Sequence, residues 1–370
     1  MKRLLLFDGL FSDGFKNRKI NPESGLRVTL GRSLTAALLV WLPVAAGAVT
    51  NGTQGGAFLL IGGSARATSM GEAFTGLADD VSAATWNPAG LSQLGALQSS
   101  LSYTAWFADT SYAVVGAGGP IAPRHALAAT VYYFHVPRIE NVPADVEPAV
   151  ELSNYAAGLA YAWRVTGRLG IGAGVKLLSQ DLSQSGRPES AASGAMVDLG
   201  VHYRLEEPDL GLGLALQNMG PSLEFRDARA PAPFWVRAGA AWHAYRDPWV
   251  SVTGTTDLAG PVDTRYRIDW PSGGIGEIGK TRLAGPGQKR GDLAVGTEWW
   301  IAGILALRGG YTFRLGSDLS SPAAGAGLRF EVEPFAYAVD YGYSFWGELS
   351  SNVSRVSFSL SLIPKPRESE

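Results

Sequence analysis

Asp198 and His202 lie four residues apart on one face of an alternating segment, a pairing that could relay a proton. The rest of the chain supplies no machinery for that chemistry. It has no Cys, which excludes thiolate catalysis, disulfides and Cys-ligated metal. Its four His (His125, His135, His202 and His243) are nowhere at zinc-ligand spacing. No Gly-x-Ser-x-Gly elbow and no zinc-protease His pair occurs. The reading is therefore of a protein that is not an enzyme and has no cofactor, with Asp198 and His202 as hydrated polar groups. The net charge of −2 gives no sign of a nucleic-acid partner.

Asp198 and His202 belong to a larger set. Lys176, Asp198, Arg204, Arg237, Glu298, Arg308, Arg329, Asp340 and Arg355 all sit opposite the large apolar residues of their segments. In Phe335 to Phe345, for example, Phe335, Tyr337, Val339, Tyr341, Tyr343 and Phe345 share a face opposite Ala336, Ala338, Asp340, Gly342 and Ser344. Period-two patterning means strands with one apolar side. A charge facing lipid at the midplane costs about 2–4 kcal/mol, whereas a wet lumen accepts it. The charged face thus reads as a lumen and the apolar face as lipid-exposed. Mean hydropathy of only +0.05 fits this better than helical spans of roughly 20 apolar residues.

Fourteen such segments follow one another, near 97–107, 111–121, 125–136, 152–164, 169–180, 193–205, 210–218, 234–244, 249–257, 292–301, 305–315, 323–331, 335–345 and 353–363. The connections alternate in length. Those near 137–151, 181–192, 219–233 and 258–291 are long, and those between are short, such as Ala122-Pro123-Arg124 and Val332 to Pro334. Long loops on one side and tight turns on the other is the asymmetry of outer-membrane barrels. The expected fold is all-β: a transmembrane antiparallel β-barrel over 96–363, with short turns and both termini periplasmic. Its location is the outer membrane of a Gram-negative-type bacterium, with outer-membrane lipid as its surroundings. Trp106, Phe107, Trp163, Phe234, Trp235, Trp242, Trp299, Trp300, Phe313, Phe345 and Trp346 are expected in girdles at the strand ends.

Ahead of the barrel, Leu34 to Ala48 is the only long apolar run, preceded by Arg27 and Arg32 and closed by Ala46-Gly47-Ala48. Residues 1–48 read as a signal peptide cut after Ala48, with a translation start downstream of Met1. Residues 49–95 read as a short helical hatch. Met70, Phe74 and Leu77 recur at helical spacing between Ser64 and Ala78, Asp79-Asp80 ends that helix, and Asn87-Pro88-Ala89-Gly90 hands the chain to strand one. A fourteen-strand barrel is wider than its own side chains fill, so this segment is expected inside the lumen as a plug. Abundant Gly, 47 in all, suits walls that a plug must approach closely. Met70, Phe74 and Trp86 are candidates to line a small apolar site, and Asp79, Asp80, Asn87 and Pro88 to gate it. Residues 364–370 form a polar tail.

The run Gly62-Gly63-Ser64-Ala65-Arg66-Ala67, Met70-Gly71-Glu72-Ala73-Phe74-Thr75, Ala78-Asp79-Asp80 and Trp86-Asn87-Pro88-Ala89-Gly90-Leu91 resembles the N-terminus of the PorV/PorQ family. That family is related to the FadL-type long-chain fatty-acid transporters. The resemblance implies a barrel with an N-terminal hatch and a part in type IX protein secretion or surface-protein export. Secreted proteins or other secretion components would then be partners at the long outer loops. The alternative it implies is a FadL-like passive channel for hydrophobic compounds such as fatty acids, with a small molecule in the lumen. The polar tail after Leu362-Ile363 departs from the family's pattern of ending close to the last strand.

Overall fold

A computed structural model describes residues 54–106, 109–137, 150–184, 187–226, 229–262, 291–315, 320–346 and 351–363. The expected signal peptide, Phe107, the polar tail, and most of the expected loops at 137–151 and 258–291 lie outside them. The wall is a closed antiparallel barrel of fourteen strands. In chain order these are β1 (Gln98–Ala105), β2 (Ser111–Ala122), β3 (His125–Val136), β4 (Val150–Arg164), β5 (Leu169–Gln184), β6 (Arg187–Leu205) and β7 (Leu210–Met219). After a small hairpin, β8 (Leu223–Glu224) and β9 (Arg229–Ala230), come β10 (Trp235–Arg246), β11 (Val250–Pro261), β12 (Gly291–Ile301), β13 (Leu305–Leu315), β14 (Ser321–Val332), β15 (Phe335–Trp346) and β16 (Ser351–Leu362). The barrel closes by pairing β1 with β16, from Gln98↔Ser361 to Ala105↔Ser354. An even strand number is what lets the first and last strands meet antiparallel.

Alternation sets which side chains face out. Leu101, Val115, Val131, Leu159, Val175, Val197, Leu307, Val339 and Phe358 are exposed on the outer face. Lys176, Asp198, Arg237, Glu298, Arg308, Asp340 and Arg355 are buried inside. Two charged residues on the inward side of the alternation differ. Arg204, half exposed, bonds Asp209 in the following turn, and Arg329 is exposed over the Trp300 ring. Both sit near the short turns, where the wall meets solvent, so Arg204 belongs to the rim and not to the lumen. Of the expected girdle, Trp163, Trp242, Trp299, Phe313 and Phe345 do face outward. Trp235 and Trp300 instead lie under inward arginines, because their register puts them on the lumenal side.

The connection expected at 181–192 is mostly strand. β5 and β6 stay paired up to Gln184↔Arg187, with a register shift between Leu182 and Ser183, so the hairpin stands beyond its neighbours. The expected single helix over 64–78 is also shorter. Helix α1 spans Ala65–Ser69 and stops because Gly71 and Glu72 adopt positive φ, 64° and 69°. Continuing it would keep the chain from the wall at β13, where a β-carbon on Gly71 would lie 2.6 Å from the Tyr311 nitrogen. Helix α2 (Ala83–Trp86) follows, then a 3₁₀ turn, Pro88–Gln93.

The hatch crosses the lumen once. Gly55 N–H bonds the Pro231 carbonyl (3.0 Å) and Gly56 N–H bonds Gln180 Oε1 (2.6 Å), both at the long-loop end. β1 then starts at the short-turn end, where β16 also finishes and Ile363 N–H bonds the Pro334 carbonyl (2.8 Å). Gly55 and Ile363 therefore lie at opposite ends of the barrel; the two termini, expected on the short-turn side, lie outside the described residues.

The two faces should answer differently to charge. Val339→Arg, on the outer face, is expected to cost about 2–4 kcal/mol in unfolding from lipid vesicles. Ser359→Arg, on the inner face beside a cavity with a largely polar lining, should leave the urea midpoint close to wild type. Equal losses for both would contradict the assigned facing.

Candidate functional site

The hatch contacts the wall all the way round, α1 against β13 to β16 and the 3₁₀ turn against β2 to β6. Inward glycines make the approach possible. A β-carbon on Gly310 would overlap the Met70 carbonyl carbon, and one on Gly213 would overlap the Thr75 carbonyl oxygen. Met70, Phe74 and Trp86 are buried in the hatch's own core, with Phe74 edge-on to Trp86 at 6.3 Å. They do not line an open cavity, because the small residues around them let the wall close over their sides.

Hatch and wall share two apolar clusters and are also joined by polar contacts. Arg66, on α1, is central. Its guanidinium meets Asp79 Oδ1 at 2.6 Å and Asp80 Oδ2 at 2.9 Å on the hatch. It also makes a fork with Glu298 on β12, both contacts at 2.8 Å. Glu298 in turn receives Arg308 Nε at 2.7 Å, and Arg308 reaches Asp340 at 2.7 Å. Two arginines and four carboxylates thus form one network linking α1, the Asp79-Asp80 turn, β12, β13 and β15. Burial works against the Arg66 charge, but Asp79, Glu298 and Asp80 together hold its pKa well above the ordinary guanidinium value.

Other contacts repeat the arrangement. Asp257 on β11 accepts from the Phe74 and Thr75 N–H groups at 3.2 and 2.9 Å. Asn87 donates to the Thr75 and Val201 carbonyls, each at 3.1 Å, while its Oδ1 caps the 3₁₀ turn by accepting from Ala89 N–H. Pro88, at the first position of that turn, packs against Gly172 and Gly200. Gln217 donates to the Thr85 and Trp86 carbonyls at 2.8 and 3.0 Å and accepts from Arg237, whose guanidinium lies 4.8 Å over Trp86. Arg355 bonds Thr104 on β1 at 2.6 Å.

Asp198 and His202 do not act as a pair. Asp198 bridges Lys176 (2.7 Å) and the Asn218 N–H (2.7 Å), whereas His202 Nε2 lies 3.0 Å from the Gly76 carbonyl. A proton-relay reading therefore has no shared hydrogen bond to stand on. Between hatch and wall at the short-turn end is a cavity of about 210 Å³, lined by Arg66, Asp79, Asp80, Ser100, Thr253 and Trp300 among others. Its walls are mainly hydroxyl and charge.

Sequence reasoning brought Asp79, Asp80, Glu298, Arg308 and Asp340 forward but not the residue that joins them. Arg66 carried a signal, a lone cation in a small-residue run thirteen positions before an acidic pair. Asp257 and Gln217 carried none beyond inward parity. Sequence reasoning also passed over Gly274 to Thr281, which has the Gly-x-x-x-x-Gly-Lys-Thr spacing of a phosphate-binding loop. It lies outside the described residues, in the connection between β11 and β12, and supports no assignment.

A model of the family described as "Type IX secretion system protein PorV" matches residues 47–259. No curated protein matches the chain. Among solved structures, the Ralstonia pickettii toluene transporter TbuX aligns with a TM-score of 0.54 at 14% identity, over 81% of this chain and 97% of that one. CymD, a monoaromatic hydrocarbon channel, gives 0.57 at 12%, over 84% and 99%. A Pseudomonas aeruginosa FadL homologue gives 0.53 at 12%, over 81% and 98%. At such identities the likeness is one of fold.

Removing the central cation should loosen the hatch. Arg66→Met leaves the half-buried Asp79-Asp80 pair without its cation and Glu298 with Arg308 alone, a loss below the roughly 3–5 kcal/mol of a fully buried broken pair. The expected readout is ion conductance in planar bilayers well above the wild-type level. Adding Glu298→Gln to Arg66→Met should recover part of the loss, since the two sites are coupled. Strictly additive effects would show that the network does not hold the hatch.

Proposed function

This chain belongs to the PorV family of type IX secretion system proteins, and from that membership we propose that it docks exported proteins at its long-loop end without passing them through its lumen. It is an outer-membrane β-barrel of the FadL-like type. The observation that carries the docking reading is the filled lumen. The hatch core is fully buried, and the Arg66 network ties it to β12, β13 and β15. Even an extended polypeptide has no route past it while those ion pairs hold. Partners must then meet the protein on its surface. Among the described residues, the projecting β5–β6 hairpin is the part that stands clear of the wall.

In this reading the short turns face the periplasm and the long loops face outward, so the hatch enters from the outer side. The protein is non-catalytic, and its buried charges serve to hold the hatch. The channel alternative, uptake of hydrophobic compounds such as fatty acids, is favoured by the fold likeness alone. The cavity against the hatch is lined more by Ser, Thr, Asp, Glu and Arg than by its apolar residues Leu77, Val81, Trp300 and Leu360, a poor surface for an apolar solute.

The native chain has no Cys, so single cysteines report sidedness cleanly. A membrane-impermeant maleimide added to intact cells should label Arg229→Cys on the β8–β9 hairpin. It should label Gly167→Cys, in the short turn after β4, only after the outer membrane is opened. The reverse pattern would invert the proposed orientation. Recovery of a lipid-like ligand and no exported protein from detergent-solubilised membranes would favour the channel.

A further inference from the structure

The barrel rim is uneven beside β6. That strand runs Arg187–Leu205, but β7 ends at Met219, which pairs with Val197. Beyond Val197, β6 is bonded to β5 alone, up to Arg187↔Gln184. The chain leaving β7 turns inward: Gly220 lies against the Ala195 carbonyl, and Leu223 is buried among Phe58, Leu178 and Met196. Among the described residues, no strand or backbone hydrogen bond occupies the β7 side of residues 187–196.

One bond fixes which groups point into that gap. Arg204 N–H donates to the Arg168 carbonyl at 2.8 Å, on the β5 side. In an antiparallel ladder, residues two apart turn the same way. Even-numbered residues of β6 therefore bond β5, and Ala191, Ser193 and Ala195 turn their N–H and C=O groups toward the gap. Their side chains are small and exposed on the outer face.

Free strand edges are normally blunted by Lys, Pro, a bulge or a covering segment. Here Pro188 and the register shift lie at the far end only; Gly220 sits on the Ala195 carbonyl and the Arg226 N–H bonds Ser190 Oγ (3.1 Å), and between those two contacts Ala191 and Ser193 carry none of these. A row of alternating donors and acceptors at strand spacing is matched by another extended backbone, and small side chains leave it room. We infer that the β6 edge at 191–193 is a docking strand, to which an extended segment of a partner polypeptide adds by β-augmentation. The inference rests on the docking reading above for its partner, an exported polypeptide, and adds where and how it binds. The added strand would continue the line of β7 above Met219, outside the inward-turned β8–β9 hairpin.

Proline separates this edge from the fold. Ser193 N–H faces away from β5, so Ser193→Pro removes no barrel hydrogen bond but blocks strand addition. Full-length wild type and Ser193→Pro would be purified from outer membranes of secreting cells, with heat-modifiable migration as the check on folding. If proline disturbs that migration, Ala191→Lys takes its place as a gatekeeper charge. Wild type is expected to retain exported protein, and amides 191 and 193 to exchange at least tenfold more slowly in the loaded form than in the stripped form. The edge variant should retain at least tenfold less. Unchanged retention by a folded edge variant, unchanged exchange, or cross-links joining position 193 of two copies would each overturn the inference. Wild type carrying no exported protein would overturn the docking reading with it; cargo held equally by both proteins would overturn only the edge.

Discussion

Charge inside a lipid-embedded barrel must be neutralised within the lumen, and most of this structure follows from that requirement. The wall turns Lys176, Asp198, Arg237, Glu298, Arg308, Asp340 and Arg355 inward because the outer face meets hydrocarbon. Burying them unpaired would be prohibitive. The hatch supplies part of the compensation. Arg66 answers Glu298, the hatch N–H groups at Phe74 and Thr75 answer Asp257, and Gln217 links Arg237 to the backbone at Thr85 and Trp86. The hatch is accordingly part of the folded barrel and not a cap laid on its mouth. The inward glycines are the steric counterpart, letting hatch backbone lie against wall backbone.

Much of the fold was legible from alternation. Fourteen segments with polar and apolar faces yielded the strand number, and the short turns fixed the register well enough that most strand ends agree within two or three residues. The hatch was less legible. Helical spacing of Met70, Phe74 and Leu77 suggested one helix, but the contacts that end α1 at Gly71 are with β13, some 240 residues away in sequence. Local pattern cannot encode a wall that distant. The projecting β5–β6 hairpin was missed for a related reason: beyond the membrane the lipid-facing constraint ends, and alternation fades while pairing continues.

The site divides in the same way. Inward carboxylates and arginines were readable from parity, yet their partners were not. Asp198 and His202 share a face and still serve different contacts, one to Lys176 and one to Gly76. Arg204 shows the limit of parity, since it has the inward phase but stands at the rim in solvent. Depth along the strand matters as much as facing, and depth becomes visible only once neighbouring turns are in place.

A stoppered barrel with a standing rim suits the proposed role of holding partners and not conducting them. Everything in that account depends on the hatch being as firmly structured as the wall. Hydrogen exchange on the purified full-length protein tests this most directly. Amides from Ala65 to Leu94 that are hydrogen-bonded should exchange as slowly as those of the barrel strands. Hatch exchange as fast as that of the surface turns would contradict the account.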